Sequence, residues 1–332
     1  MPKISLIIFV LFFTLAASAR AQTVYTPTLI RTIDTSRWTP PSPDACGLVW
    51  LPESNRFLVT DSEVDEMTIY QGANTFEMNF DGTISQNPLY TTVGFSNEPT
   101  DIAVDSEDPD NVLYYFTDDD QKAINAVNLG PDSLFRTPDD KVTKILTSQY
   151  GCTDPEGIAY NANRLFLACG VDAKIVTISL GNDGVLGGTD DTVTNFLTSG
   201  INQSDPEGIE YNPDSNTLLI VSTSGRYVAE TTLTGTLIRN IDILPFNIVT
   251  PSGLEYAPSS VNPAVKSIYI AARGVDNNTN PLENDGKIYE ISLSGAPTPK
   301  QLLLSWLLGT SDFDRNHDGK VNSLDFALFT SP

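Results

Sequence analysis

Residues 154–161 read DPEGIAYN, and residues 205–212 repeat the string with one letter changed, as DPEGIEYN. Weaker versions stand earlier and later in the chain, each with a proline, a polar pair and then an apolar run. The prolines of the five copies, spaced 45 to 56 residues apart, are Pro43, Pro99, Pro155, Pro206 and Pro251. Periods of this size are typical of repeat architectures, in which one supersecondary unit is used several times.

Each repeat contains short runs of β-branched and aromatic residues separated by Asn, Gly or Asp, which predicts a meander of four strands. In the third repeat the predicted strands are residues 157–160, 164–168, 174–180 and 192–198. A repeated four-stranded unit predicts an all-β propeller in which each unit forms one blade. The repeats predict five blades, and the length of the first two leaves room for a sixth.

The last repeat supplies three strands before the composition changes, and its fourth strand is predicted at the other end of the chain. Residues 28–34 read TLIRTID and match TLIRNID at residues 236–242 in all but one letter. An N-terminal strand that completes the last blade would close the ring and remove an exposed sheet edge.

Three segments are predicted from composition. Residues 1–21 have a basic start, an apolar run and an Ala-Arg-Ala end, so we expect a secretory signal of the bacterial Sec type, cleaved before Gln22. An uncleaved anchor helix is the alternative. Residues 22–294 form the propeller, and residues 295–332 form a separate tail. We therefore expect a secreted or cell-surface protein with no membrane span after cleavage.

The chain carries a formal net charge of −23 at pH 7. This charge argues against nucleic acid or an anionic membrane as a partner and favours cations. The chain has a single histidine, His317, which lies outside the predicted ring. A Ser-His-Asp triad or a histidine-ligated zinc site is therefore excluded from the propeller, and any catalysis there must use carboxylates, metal or the few Lys, Arg and Tyr residues.

In a meander the first strand starts, and the second strand ends, at the same rim of the ring. We name this rim the mouth. It collects Asp44, Glu98, Asp101, Asp154, Glu156, Asp205 and Glu207 from the first strands, and Asp61, Glu63, Asp65, Glu66, Asp118, Asp119, Asp120 and Asp172 from the second. Converging carboxylates either hold protons at raised pKa or bind hard cations such as calcium. The alternative is that most of them point outward into solvent.

Two loops of the opposite rim, residues 130–140 and 182–191, also carry spaced carboxylates. Solvated turns explain them more simply than calcium binding does. The three cysteines are too few for a disulfide framework. Cys152 and Cys169 could face each other across a hairpin, and the sequence leaves a bridge between them open. Cys46 would then be a buried free thiol.

The tail begins with a predicted helix, which has a capping box at Thr298 and runs through Leu308. A loop with calcium-ligand spacing follows, and its predicted metal ligands are Asp314, Asn316, Asp318, Lys320 through its backbone carbonyl, Asn322 and Asp325. Aspartate at the twelfth loop position and a short second helix resemble the dockerin type I repeat. That resemblance implies a cohesin-like partner, although the chain has one such loop where the dockerin module has two.

The strings PDACGLVWLPES, TDSEVDE, EPTDIAVD and DPEGIAY resemble the phytase-like, esterase-like group of exported bacterial propellers, which is related in appearance to gluconolactonase-type and NHL-type rings. The resemblance spans residues 28–294. It implies calcium as a cofactor and, in some members, phosphoester hydrolysis. The candidate catalytic residues that match its motifs are Glu98, Asp154, Glu156, Asp205 and Glu207.

Three functions are open at this point. The first, which we favour, is a calcium-binding surface platform whose dockerin-like tail tethers the ring to a cohesin-like or other cell-surface protein. The second is a metal-dependent phosphoesterase or lactonase that acts at the acidic mouth. The third is a dockerin-borne component of a polysaccharide-degrading assembly.

Overall fold

The computed structural model describes residues 24–64, 72–85, 90–108, 112–135, 137–275 and 279–293. The expected signal segment and the whole predicted calcium tail lie outside these residues. None of the described helices is long and apolar enough to cross a membrane.

The chain forms a β-propeller of five blades, each a separate antiparallel sheet. Blade 1 contains β3 (Ala45–Leu51), β4 (Arg56–Asp61) and β5 (Thr75–Asn79). Blade 2 contains β6 (Pro99–Asp105), β7 (Leu113–Asp118), β8 (Ala123–Asn128) and β9 (Lys141–Leu146). Blade 3 contains β10 (Pro155–Tyr160), β11 (Arg164–Cys169), β12 (Lys174–Ser179) and β13 (Thr192–Leu197).

Blade 4 contains β14 (Pro206–Asn212), β15 (Thr217–Ser222), β16 (Tyr227–Thr231) and β17 (Leu237–Asp242), and β1 (Val24–Tyr25) pairs with β17 in parallel. Blade 5 contains β18 (Pro251–Pro258), β19 (Lys266–Ala272) and β20 (Lys287–Ser292). The short 3-10 helices of the described residues are Thr35–Arg37, Gly130–Asp132, Thr147–Tyr150, Ser199–Ile201 and Leu244–Phe246.

The ring closes as the sequence predicts. β2 (Thr28–Asp34) pairs antiparallel with β20 and becomes the outer strand of blade 5. Five blades are confirmed, and no sixth occurs in the part of the chain that the structure describes. The repeat alignment was wrong in blade 1. Ala45, not Pro43, occupies the position of the repeat proline there, because Ala45 pairs with Asp61 just as Pro99 pairs with Asp118 in blade 2. Pro43 lies two residues earlier.

The apolar core lies between the blades. Five clusters of buried side chains fill the five interfaces between neighbouring sheets. The strands nearest the axis are β3, β6, β10, β14 and β18, and each lies against the next around the ring. Their first residues therefore converge on the axis at the mouth, as the topology predicts.

Glycines allow the inner strands to approach this closely. A Cβ atom at Gly208 would lie 2.2 Å from the carbonyl oxygen of Ser252, and one at Gly157 would lie 2.4 Å from that of Glu207. Gly47 and Gly253 make the same approach in blades 1 and 5. Asp101 stands at this position in blade 2. We name these five residues the axial layer.

A disulfide joins Cys152 to Cys169, with their Cα atoms 5.6 Å apart. It ties the loop before β10 to the end of β11, directly beside the mouth. A disulfide is typical of a protein that meets an oxidising compartment. Cys46 is the free and buried thiol that the sequence predicts.

Candidate functional site

The mouth gathers carboxylates from four consecutive blades. All five candidates from the sequence are part of it, because each stands one residue before, or at the second residue of, an inner strand. Glu156 and Glu207 lie on the neighbouring strands β10 and β14. Burial, followed by the negative charge of Asp154, raises the pKa of Asp205.

Three carboxylates of the mouth, Asp119, Asp154 and Glu156, bring ligand oxygens within 4.8 Å of one another. Asp154 and Glu156 come from the start of β10, and Asp119 comes from the turn that follows β7. Calcium binds oxygen at about 2.3–2.6 Å, so ligands on one ion stand at most about 5 Å apart. The three oxygens fit that limit.

The carboxyl group of Asp119 is only partly satisfied by hydrogen bonds. Its carboxyl group hydrogen-bonds that of Glu98, which is 8% exposed. Its Oδ1 atom is buried, and no hydrogen-bond partner for it exists among the residues that the structure describes. A buried oxygen without a partner loses about 1–3 kcal/mol of solvation, which a bound cation would restore. The donor set of hard oxygens therefore fits a divalent cation.

Two cationic side chains, Lys122 and Arg273, lie near these carboxylates. The Lys122 ammonium lies 3.4 Å from Asp154 Oδ1, but its side chain is 48% exposed and can swing aside. The Arg273 guanidinium belongs to blade 5 and is directed to blade 1, where Nη2 lies 2.9 Å from Glu63 Oε1 and Nε lies 3.5 Å from Asp44 Oδ1. The carboxylates of blades 2 to 4 are thus less compensated than those of blade 1.

Burial and mutual repulsion change the acidity of the mouth. Burial raises the pKa of Glu207 to about 8, although the Arg273 charge partly opposes the change. Burial, followed by the charge of Glu207, raises the pKa of Glu156 well above its usual range. Burial also raises the pKa of Asp119. Without a cation, the mouth therefore holds protons near neutral pH.

Several acids that the sequence places at the mouth have structural roles instead. Asp61 accepts hydrogen bonds from Ser42 Oγ at 2.6 Å and from the Asp44 backbone at 2.9 Å. Asp118 accepts one from Ser96 Oγ at 2.7 Å in the matching place of blade 2. In blade 3 the disulfide occupies this place. These side chains hold the mouth loops in position, which the topology alone did not predict.

Asp101, which the sequence places at the mouth, lies deeper and belongs to an acidic group with Glu210 and Glu255, two residues that the sequence analysis did not predict. Asp101 is 2% exposed, and its Oδ2 accepts a hydrogen bond from the Ile158 backbone at 3.0 Å. Glu255 Oε2 accepts one from the Trp50 backbone at 2.8 Å, and burial raises its pKa to about 7. Burial, then the Glu255 charge, raises the pKa of Glu210 well above its usual range. The signal was in the sequence, since EPTDIAVD places an acid where the other repeats have glycine.

The acids of the opposite rim are exposed or half-buried. Asp132, Asp139 and Asp140 bring ligand oxygens within 4.8 Å of one another. They also accept hydrogen bonds from their own loop, for example from Thr137 Oγ1 to Asp139 Oδ1 at 2.7 Å. This arrangement agrees with turns stabilised by their own backbone and side chains.

No protein-family model and no curated protein matches the chain. Among solved structures, the chain is similar to a glutaminyl cyclase of Myxococcus xanthus, at 12% identity and a TM-score of 0.46 over 82% of this chain and 97% of that one. It is similar to the calcium-binding protein regucalcin of Agrobacterium tumefaciens, at 12% identity and a TM-score of 0.48 over 81% and 96%. It is also similar to a luciferin-regenerating enzyme, at 10% identity and a TM-score of 0.49 over 81% and 96%. Such distant likenesses concern the fold and assign no activity.

Proposed function

We propose that the chain is an exported calcium-binding propeller that acts as a surface binding platform, with a calcium ion at the mouth. Two observations support this proposal together: the Asp119, Asp154 and Glu156 side chains bring ligand oxygens within 4.8 Å of one another, and Asp119 Oδ1 is buried with no hydrogen-bond partner among the described residues. The three side chains would hold the ion. When bound, calcium would offer an open coordination position to an anionic or hydroxyl group of a partner.

The roles of the protein side chains follow from their places. Glu98 orients Asp119 through their shared hydrogen bond. Arg273 neutralises Glu63 and Asp44 and so keeps the blade 1 side of the mouth from adding to the repulsion. Asp205 and Glu207 contribute further negative charge, which raises the local concentration of cations.

Calorimetric titration of the full chain with calcium tests this proposal. We expect Asp119→Asn to weaken the propeller site at least tenfold, because it removes a charged ligand. Asp120→Asn is the matched control, since Asp120 is the exposed neighbour of Asp119. Glu156→Gln is the second variant, in case Asp119→Asn folds poorly. Undiminished calcium binding to the propeller in both variants would overturn the proposal.

The proposal includes the tail, in which Asp314, Asn316, Asp318, Lys320, Asn322 and Asp325 would hold a second calcium ion. A tail ordered by calcium would tether the ring to a cohesin-like or other cell-surface protein, or to a polysaccharide-degrading assembly. The double variant Asp314→Ala, Asp318→Ala should lose this site and keep the propeller site. Pull-down of a purified cohesin domain by the full chain in calcium, but not in chelator or by the double variant, is the expected result.

A hydrolase of the phosphoesterase or lactonase type is the second candidate. The observation that favours it is Glu207, a carboxyl group that is 8% exposed, lies among other mouth acids and has a pKa raised to about 8 by burial. Such a group can donate a proton near neutral pH while a neighbouring carboxylate accepts one. Turnover of small phosphoesters or lactones by the chain, lost in Glu207→Gln, would support it. A highly phosphorylated substrate is disfavoured, because the mouth has few cations for its many carboxylates. The described ones are Lys122, Lys174, Arg226 and Arg273, and Lys174 and Arg273 are already paired with Asp172 and Glu63.

A further inference from the structure

Each blade ends in an outer strand, and charged side chains stand on four of the five outer strands. They are Glu77 on β5, Lys141 and Lys144 on β9, Arg239 and Asp242 on β17, and Arg31 and Asp34 on β2. The outer strand of blade 3, β13, reads TVTNFL and carries no charge. Charges on an edge strand hinder its pairing with another chain, so β13 lacks a protection that the other blades have.

The edge of β13 corresponds to an edge that the fold itself covers in blade 4. Thr198 just after β13 and Ile243 just after β17 both donate a backbone N–H to the residue that precedes the third strand of their blade. Asn195 and Asn240 stand at the same distance before these two donors and therefore correspond to each other. Asn240 pairs with Val24 of β1. Among the described strands only β12 pairs with β13, so the edge at Asn195 is open there.

The backbone of β13 offers hydrogen-bonding groups along this open edge. Successive residues of a strand direct their N–H and C=O groups to opposite sides. Because the Thr198 N–H points into the blade, the backbone groups of Val193, Asn195 and Leu197 point away from it. The side chains of these three residues share one face, where Val193 is 40% exposed and Leu197 is 65% exposed. The edge thus combines outward backbone groups with two exposed apolar side chains.

The strand is held in place before any partner arrives. Its residues pair one to one with β12, from Thr192 with Ser179 to Leu197 with Lys174. On the face opposite Val193, the Phe196 ring packs against Gly235 of blade 4. Because β13 is already ordered, pairing with another strand would lose little free energy to ordering it.

We propose that β13 pairs with β13 of a second copy of this chain, antiparallel and about a two-fold axis at Asn195. In this register Asn195 lies opposite itself, and Val193 lies opposite Leu197 of the partner subunit. The register follows from the spacing, since Val193 and Leu197 stand two residues to either side of Asn195. The strand is therefore complementary to itself, as an interface about a two-fold axis must be. Apolar pairs across neighbouring strands stabilise such a sheet.

The charge distribution also favours a second copy at this edge. The chain carries a formal net charge of −23, so two copies repel each other over most of their surfaces. Residues 192–204 contain no charged side chain, which lets two copies approach here with little local repulsion. Pairing would join two four-stranded blades into one continuous sheet across the subunits. Since a single strand pair buries little surface, we expect a weak dimer.

Sedimentation velocity of the full chain over a concentration series, in chelator, tests this interface. The chelator removes calcium-dependent association through the tail. We expect the native chain to dimerise reversibly by about 100 µM, and more tightly at higher salt, because salt screens the repulsion between acidic chains. Asn195→Lys should weaken the dimer at least tenfold, because it places two like charges opposite each other. Thr143→Lys is the matched control, since it adds the same charge to the outer strand of blade 2, and it should dimerise like the native chain.

Cysteine cross-linking tests the register. Residues that exchange both backbone hydrogen bonds in an antiparallel pair have Cα atoms about 5.5 Å apart, which a disulfide can span. Asn195→Cys should therefore form a disulfide-linked dimer on mild oxidation. Val193→Cys is the control and should not form one, because the two copies of that position would lie about 14 Å apart along the paired strands.

Three results would overturn the proposal. They are a native chain that stays monomeric at about 100 µM, equal dimerisation of Asn195→Lys and the native chain, and equal cross-linking of the two cysteine variants. A dimer that weakens as the salt concentration rises would also overturn it, because charged groups would then hold the copies together.

Discussion

The second and third residues of the inner strands are adjacent in the chain but differ in how much the residue type varies from blade to blade. The second residues are Cys46, Thr100, Glu156, Glu207 and Ser252, a set that differs in charge and size from blade to blade. The third residues form the axial layer, with glycine in four blades and Asp101 in the fifth. The second position carries side chains of different kinds, whereas at four third positions an added Cβ atom would clash with the neighbouring inner strand.

The largest effect should come from adding one methyl group to the axial layer. Gly208→Ala places a Cβ atom 2.2 Å from the Ser252 carbonyl oxygen, and this backbone group cannot move without shifting β18. We expect the free energy of unfolding to fall by about 3 kcal/mol or more. Denaturant unfolding measures the change.

Gly200→Ala is the control for this prediction, because nothing lies within 4 Å of a Cβ atom added there. Its free energy of unfolding should change by less than about 0.5 kcal/mol. Equal stability of the two variants would show that the axial layer can relax, and the contrast between the two positions would then be lost.

Removing the disulfide should give the next largest loss of stability. In blade 3 it holds the loop that carries Asp154, whereas in blade 4 the matching Gln203 donates from Nε2 to the Tyr227 carbonyl oxygen at 3.0 Å. Cys152→Ser, Cys169→Ser should lower the free energy of unfolding by about 2–3 kcal/mol, since a closed loop of this length restricts the unfolded chain. It should also weaken calcium binding at the mouth. Gln203→Ala should leave calcium affinity nearly unchanged in the same titration.

Glu207, the second residue of β14, should make the stability of the calcium-free protein depend on pH. The pKa of Glu207 is raised to about 8, so the folded state binds this proton more tightly than the unfolded state does. The stabilisation is therefore complete below about pH 4.5, the ordinary value for the unfolded chain, and is lost as the pH rises through about 8. We expect the free energy of unfolding to fall across this range, measured by denaturant unfolding in chelator.

Glu207→Gln should flatten this dependence, because an amide does not titrate. Added calcium should reverse it for the native chain, since the cation replaces the proton as the neutralising charge. A native chain in chelator that becomes more stable between pH 5 and about 8 would contradict the direction of the Glu207 pKa.

The smallest effect should come from Asp101, the one side chain of the axial layer. Burial raises its pKa well above the usual range, so an isosteric amide replaces a carboxyl group that resists ionisation. Asp101→Asn should change the free energy of unfolding near neutral pH by about 1 kcal/mol or less and stabilise the fold more at alkaline pH. Asp101→Ala should cost more, because it removes the acceptor of the Ile158 backbone hydrogen bond.

Much of the fold was accessible from the sequence, and less of the site was. DPEGIAYN and its copies predicted five blades, and TLIRTID predicted the closing strand, because both signals are local patterns. The five candidate mouth residues were found by topology. The topology did not distinguish Glu156, which is one of the three candidate cation ligands, from Asp61 and Asp118, which anchor loops. Carboxylates with these different roles follow the same strands at nearly the same spacing.

By itself, the sequence determined the all-β repeat, the strand that closes the ring and the acidic character of one rim, since each depends on periodicity and composition. The tertiary structure decided which carboxylates share a centre, which of them anchor loops and which lie deeper in the ring. Those outcomes depend on distances of a few ångströms between side chains from different blades. Such distances are set by how the five sheets pack around the axis, which no pattern along a single strand records.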